Sequence, residues 1–442
     1  MKVNWLLTIA AVVFLGLGNF AKAQEVQNRT FQISDNTAAT TAAESHAHTH
    51  EASASLGDCG CEAASCNGGC STGCDDEPWR LFPKWCNLSL TGWVAAGVTA
   101  NADNPGSKYN GVTTFNDRED FQLQQLYAVM ERKAESNGGL GLGGRVDLLF
   151  GSDYIFTQAA GLETTRNFGN KWNSRAQYGL AMPQIYGEAA WGDMSVKLGH
   201  FYTIIGYEVV TATGNFFQSH AYTMQYGEPF THTGGLGEWK YSDRLTVWAG
   251  LVNGWDKFDA LTNQTAFLGG FKWTPCHEQY SITLTGISGQ EDGAVSSSRL
   301  TQRHMYSFVF DYNVTDNLEY VFQHDNGWQK GVTGGAAGYE WYGINQYAFY
   351  KINDCWKAGA RFEWFRDDDG QRVGGIRAGN PNTGSFVGNF YNITLGLNWT
   401  PTSNLIVRPE IRWDWFEGSG LPFDDASKDE QFLASMDMIL VW

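Results

Sequence analysis

The chain has 442 residues with 47 acidic and 30 basic side chains, a formal net charge of −17, and 52 Gly, 27 Phe, 19 Tyr and 18 Trp against only 10 Pro. So acidic a balance offers no basic footprint for nucleic acid, and beyond the N-terminus no stretch of eighteen consecutive apolar residues is available for a helical membrane span. Abundant aromatic residues combined with a negative mean hydropathy leave two classes open: a large membrane barrel, or a set of soluble β-sandwiches.

Lys2, an apolar stretch from Trp5 to Phe20 and the Ala21-Lys22-Ala23 site read as a secretory signal peptide, 1–23, cleaved before Gln24. Residues 24–57 are rich in Ala, Thr, Ser and Glu without hydrophobic period and read as a disordered linker. Its His46, His48 and His50 could meet a divalent ion, but the polar setting favours a solvated tract, and we assign no metal site and no cofactor. Residues 58–86 form a periplasmic segment rich in Gly and Cys, with Cys59, Cys61, Cys66, Cys70, Cys74 and Cys86. Export makes disulfides the default there, and the spacing lacks paired zinc knuckles. The eight cysteines allow complete pairing. Cys276 and Cys355 fall in different short turns, too far apart to bridge each other, so if both are oxidised their partners are expected in the N-terminal segment.

From 87 to 442 sixteen short alternating segments recur, near 87–99, 119–133, 140–151, 182–192, 193–202, 235–242, 244–254, 265–273, 277–288, 301–312, 316–328, 337–351, 356–366, 387–400, 404–414 and 431–442. Long connections such as 100–118, 152–181, 203–234, 367–386 and 416–430 alternate with tight ones such as Gly192-Asp193 and Asn353-Asp354. This asymmetry predicts an all-β fold, a transmembrane antiparallel up-and-down β-barrel of sixteen strands. In 387–400, Tyr391, Ile393, Leu395, Leu397 and Trp399 oppose Asn392, Thr394, Gly396 and Asn398. In 404–414, Val407, Ile411 and Trp413 oppose Arg408, Glu410, Arg412 and Asp414. One face suits lipid and the other a lumen. The 337–351 segment has aromatics on both parities, and its faces stay unassigned. Trp191, Tyr241, Trp273, Trp356 and Trp399 border short turns, as an interfacial girdle requires. The chain closes on Met436, Met438, Leu440 and Trp442 on one face, which resembles the C-terminal signal read by the barrel assembly machinery.

Gly199-His200-Phe201-Tyr202-Thr203, Pro229-Phe230-Thr231-His232-Thr233-Gly234, Arg145-Val146-Asp147, Asn253-Gly254-Trp255-Asp256 and Arg361-Phe362-Glu363-Trp364 together resemble the OmpL-like β-barrel porin family across 87–442. The resemblance implies a bacterial outer-membrane location and porin-like transport, without naming a solute. The partners expected are outer-membrane lipid, small hydrophilic solutes and the assembly machinery. A homotrimer stays open.

Several chemistries are set aside. Gly139 to Gly144 fits G-x-G-x-x-G but leads into a strand, not a helix N-terminus. His200, His220, His232, His304 and His324 lack a nucleophile motif, so no catalytic residue is assigned. Asp367-Asp368-Asp369-Gly370 lacks calcium-loop spacing and reads as a solvated charge run. A closed structural or adhesive barrel is the alternative to a pore, and paired lumen charges weigh against it. The pore-lining candidates are Arg145, Asp147, Arg361, Glu363, Arg408, Glu410, Arg412 and Asp414, facing a constriction loop, 203–234, that carries Glu208 and Glu228. Those charges either set up a transverse field or merely solvate the lumen. Net charge over 87–442, 25 basic against 38 acidic residues, favours cations weakly.

Overall fold

A computed structural model describes residues 79–82, 87–136, 138–166, 169–174, 177–259, 265–292, 300–330 and 338–442. The signal peptide, the linker with its histidines, and the cysteine segment except Trp79–Phe82 lie outside the described residues.

The strands are β1 (Leu88–Asn101), β2 (Phe121–Arg132), β3 (Gly141–Gly151), β4 (Gly179–Trp191), β5 (Met194–Tyr202), β6 (Thr231–Ser242), β7 (Leu245–Val252) and β8 (Ala266–Trp273). They continue as β9 (Tyr280–Asp292), β10 (Leu300–Thr315), β11 (Leu318–Gln329), β12 (Tyr339–Asn353), β13 (Trp356–Asp367), β14 (Val387–Thr402), β15 (Leu405–Ser419) and β16 (Glu430–Val441). Each pairs antiparallel with its neighbours in the chain, and β1 pairs with β16 to close the barrel. Closure matters because an open edge in hydrocarbon would leave a row of unpaired backbone groups. The seam runs from Trp93 opposite Val441 to Asn101 opposite Leu433, and Gly92 and Trp442 extend it by exchanging backbone hydrogen bonds of 2.9 Å. Only glycine fits at 92, since a Cβ there would collide with Tyr127 O and the Trp442 ring.

Several strands run further at one end than their alternation suggests, and in β6 and β15 this redraws a long connection. β6 begins at Thr231, so the connection before it is 203–230 rather than 203–234. The missing signal is apolar alternation: Thr231-His232-Thr233-Gly234 pairs with Tyr202 back to Gly199 through the backbone ladder and a polar contact between His200 and Thr233. β15 continues to Ser419, where Trp415 stacks on Tyr391 at 5.0 Å, and shortens the last long connection to 420–429.

Side chains sort by parity as a barrel demands. Leu395, Ile411, Met436, Met438 and Leu440 face outward, while Asn392, Thr394, Arg412 and Asp414 are fully buried inside. The turn-side aromatics Trp191, Tyr241, Trp273, Trp356 and Trp399 are all exposed, as an interfacial belt needs. β12 resolves its ambiguity: Trp341, Tyr347 and Phe349 are buried inward, while Tyr342, Ile344 and Tyr350 take the other parity. Aromatics line the inside of this strand because a folded connection packs on them.

Asp367 is not part of a solvated run. Its carboxylate accepts the backbone N–H groups of Gln371, Arg372 and Val373 at 3.1, 2.7 and 2.9 Å and fixes the turn that follows β13. Cys355 is disulfide-bonded and Cys276 is free and exposed, so the two do not bridge each other and pairing of the eight cysteines is not complete. The partner of Cys355 lies outside the described residues.

A closed barrel of this kind resists detergent until heated. The purified mature chain is expected to begin near Gln24 and to migrate faster on electrophoresis unheated than boiled; one mobility under both conditions, or solubility without detergent, would contradict the barrel.

Candidate functional site

The connection 203–230 does not run over the surface. It turns into the barrel from β5, crosses toward β2 and β15, passes β14, β13 and β12 and returns past β11 to β6. A loop rarely goes inside, because its backbone N–H and C=O groups would be stripped of water. Here the wall replaces that water.

Carboxylates take the N–H groups. Glu410 accepts from Gln218 N at 2.8 Å and Ser219 N at 3.2 Å. Glu363 accepts from the backbone N–H groups of Tyr222 and Thr223 and from Thr223 Oγ1, all at 2.7 Å. Guanidinium groups take the carbonyls. Arg408 Nη1 donates to Ala212 O and Asn215 O at 2.9 and 2.8 Å, Arg361 Nη1 to Ser219 O at 2.8 Å and Arg412 Nη1 to His220 O at 2.5 Å. Gln125 of β2 serves both kinds of group, accepting from Ala212 N at 3.0 Å and donating to Val210 O at 2.7 Å.

Six of the eight wall candidates, Arg361, Glu363, Arg408, Glu410, Arg412 and Asp414, therefore meet the connection directly, the last through Tyr222 Oη at 2.8 Å. None is solvated; each is 5% exposed or less. Arg145 and Asp147 are different. They pair at 2.7 Å on the β3 wall, where Asp147 also accepts from Tyr127 Oη and Gln184 Nε2 at 2.6 and 2.8 Å.

Glu208 is the centre of the loop's own network. Its carboxylate accepts from Arg361 Nη1 at 2.8 Å, His220 Nδ1 at 2.9 Å, Ala221 N at 3.0 Å and Tyr347 Oη at 3.0 Å. Burial pushes this acid up, but Arg361 and His220 beside it prevail and hold it at about 2. For His220 burial outweighs the attraction of Glu208 and lowers it from its ordinary value. Glu228, on the return leg, accepts from Gln323 Nε2 at 2.6 Å. Burial, then the neighbouring Asp325 carboxylate, raise Glu228 well above the usual range.

Three of the stretches that carried the resemblance, 199–203, 229–234 and 253–256, converge on the base of this connection. Gly199 to Tyr202 pairs with Gly234 to Thr231. His232 Nδ1 donates to Gly254 O at 2.9 Å, and Asp256 Oδ1 accepts from Phe230 N and Thr231 N at 2.8 and 2.9 Å. Sequence reasoning missed Gln125, Gln323, Asp325 and Asp437. Asp437 had a signal, being the one acid among Met436, Met438 and Leu440 and of the opposite parity; it binds Arg408 Nε at 2.8 Å.

Among the described residues no group of three or more His, Cys, Asp or Glu is placed to hold a metal ion.

Residues 87–441 match the model of the family described as "Putative beta-barrel porin-2, OmpL-like". The chain belongs to this family. It is thus a β-barrel porin of the bacterial outer membrane. No curated protein sequence matches it. Among solved structures, this porin resembles the in-vitro folded OmpT of Vibrio cholerae (TM-score 0.52, 12% identity, 80% of this chain and 97% of that one). It also resembles the anion-selective porin of Comamonas acidovorans (0.54, 11%, 80% and 99%) and the outer-membrane channel DcaP of Acinetobacter baumannii (0.52, 11%, 82% and 99%). At such identities these likenesses concern the fold.

Removing Arg361 while keeping Glu208 leaves a buried carboxylate short of its cation, which costs roughly 3–5 kcal/mol. Arg361→Met is therefore expected to expose 203–230 to limited proteolysis, and Arg361→Met with Glu208→Gln to recover part of the protection; protection equal to the parent in the single variant would contradict the network. A folded value of about 2 for Glu208, below the ordinary 4.5, means its contribution is complete above about pH 4.5 and lost as pH falls through about 2. Protease protection of the loop should persist at pH 4 and fail only near pH 2.

Proposed function

We propose that this porin lets small hydrophilic solutes or ions diffuse passively across the outer membrane, through a lumen narrowed by 203–230. The observation that carries the reading is the loop itself: a segment held inside the barrel, with wall side chains on both its N–H and C=O groups, occupies part of the lumen. In this reading Arg361, Glu363, Arg408, Glu410, Arg412 and Asp414 act mainly as loop anchors, while Arg145 and Asp147 line the wall away from it. Because the anchors' charges are spent on each other and on backbone dipoles, they contribute little free field, and the net excess of acids over 87–442 favours cations only weakly.

The short turns would face the periplasm, with the N-terminal segment on that side, and lipid and the assembly machinery are the other partners. We read the protein as non-enzymatic. In support, each histidine considered above is engaged structurally; His200 meets Thr233 Oγ1 at 2.8 Å and His304 meets Ser288 Oγ at 2.8 Å. A homotrimer is included in the proposal. One OmpT structure is described as a trimer form, and the outer face of β9–β11 carries the hydrogen-bonded polar side chains Ser288, His304, Tyr306 and His324, which sit more comfortably against protein than against lipid. Cross-linking that stops at the monomer would remove this part.

One observation favours the rival, a closed barrel: from Phe217 to Pro229 the loop is buried without interruption, as are the wall anchors beneath it. Conductance decides. Single channels in planar bilayers are expected for the parent, with a larger unit conductance after deletion of 212–226, and with modest cation preference in a potassium chloride gradient. Silence of the parent would favour the closed barrel, and unchanged conductance after the deletion would take the loop out of the constriction.

A further inference from the structure

On the long-connection side of the loop, two positive side chains converge on one indole. Arg303 of β10 places its guanidinium carbon 4.8 Å from the ring centre of Trp255, and Arg372, from the connection after β13, lies 5.2 Å from that ring and 4.6 Å from the ring of Trp341. The two indoles meet edge to face at 5.9 Å. Cation–π attraction offsets only part of the repulsion between two guanidinium groups placed together.

The carboxylates nearby are committed elsewhere. Glu291 is bound closely by Lys257 and by Trp255 N, and reaches Arg303 only through a long ion pair, Oε2 to Nη1 at 3.8 Å. Asp256 and Asp367 are occupied by backbone N–H groups of the loop base and of the turn after β13. Arg303 Nε donates to Gln329 Oε1 at 2.5 Å and Arg372 Nε to Tyr226 O at 2.7 Å. No carboxylate among the described residues forms an ion pair with Arg372. Burial, then the adjacent Arg303, push Arg372 down to about 10. An independent observation points the same way: Trp255 Nε1 is a buried donor without an acceptor, in a residue 4% exposed. Buried donors are normally satisfied, and an orphan beside Arg372, which has no ion pair among the described residues, and Arg303, which has one long one, calls for an acceptor carrying negative charge.

We propose that Arg303, Arg372 and the Trp255 indole N–H form a binding site for the oxyanion of a small solute, a carboxylate or a phosphate. Its service as a way-station for permeation rests on the pore reading; the binding itself does not. The site is opposite in sign to the chain as a whole, so it selects among solutes that reach it rather than setting the bulk ion preference. Arg372 ties the site to the constriction, because the carbonyl it holds, Tyr226 O, belongs to the inward loop.

Titration calorimetry of the full barrel in detergent, with sodium benzoate, inorganic phosphate and benzyl alcohol as probes, tests this. Saturable binding of benzoate or phosphate is expected, and which of the two binds assigns the oxyanion class. Arg372→Gln should weaken it at least about tenfold, the scale of one charge-assisted hydrogen bond, and Trp255→Phe, which keeps a ring but removes the donor, should weaken it by a smaller factor. The heat-dependent gel shift reports that each variant is folded. Absence of saturable binding by either anion, equal binding of benzyl alcohol, or parental affinity in folded Arg372→Gln and Trp255→Phe would overturn the site. Because binding is read without a bilayer, a silent pore that still binds and a conducting pore that does not are told apart.

Discussion

A polypeptide segment can lie inside a barrel only if its backbone finds partners to replace water, and that constraint organises this molecule. The wall answers it with a division of labour. Acids on β13 and β15 accept N–H groups, and arginines on the same strands donate to carbonyls. The arginines Arg361, Arg408 and Arg412 thereby have two reasons to be there: an opposite charge beside each and a backbone carbonyl in front of it. A dry interior tolerates these ions because both are supplied.

The apolar side of the interior follows from the same insertion. Ile205, Tyr222 and Tyr226 from the loop join Leu236, Trp248, Leu268, Ile287 and Met305 from the wall in one buried cluster. Phe216 and Tyr207 meet Phe349 and Tyr347 at 4.9 Å each. A water-filled barrel has no use for such residues on its inner face. With a loop covering them, they bury area and hold the segment against the wall between its polar anchors, so the connection is fixed along its length rather than hinged at two ends.

Position on the loop then separates the charges by role. Those beneath and beside it are consumed in holding it. Arg372 and Arg303 stand on the other side, where the loop offers a carbonyl and no carboxylate; Arg303 has one long ion pair, to Glu291 at 3.8 Å, and Arg372 has none among the described residues, so part of their electrostatic demand is left over. That imbalance is local. The same chain carries an acidic excess overall, and the two statements concern different distances, since exposed charges are screened over about 8 Å at physiological ionic strength while those enclosed with a ligand are not.

Much of the fold was legible because period-two alternation and connection length are local properties of a strand. All sixteen strands, the faces of β14 and β15, and the aromatic belt could be placed from residues a few positions apart. Parity also nominated Arg361, Glu363, Arg408, Glu410, Arg412 and Asp414 as inward. What they touch could not be read, because Arg361 finds Glu208 at a separation of 153 residues and Glu410 finds Gln218 at 192. The same distance in the chain hid the inner face of β12, whose aromatics contradict a polar lumen until the loop covers them, and the meeting of Arg303, Arg372 and Trp255 from three separate segments. Strand identity depends on neighbours in sequence; whether a charge is solvated, paired or left wanting depends on which distant backbone is folded against it.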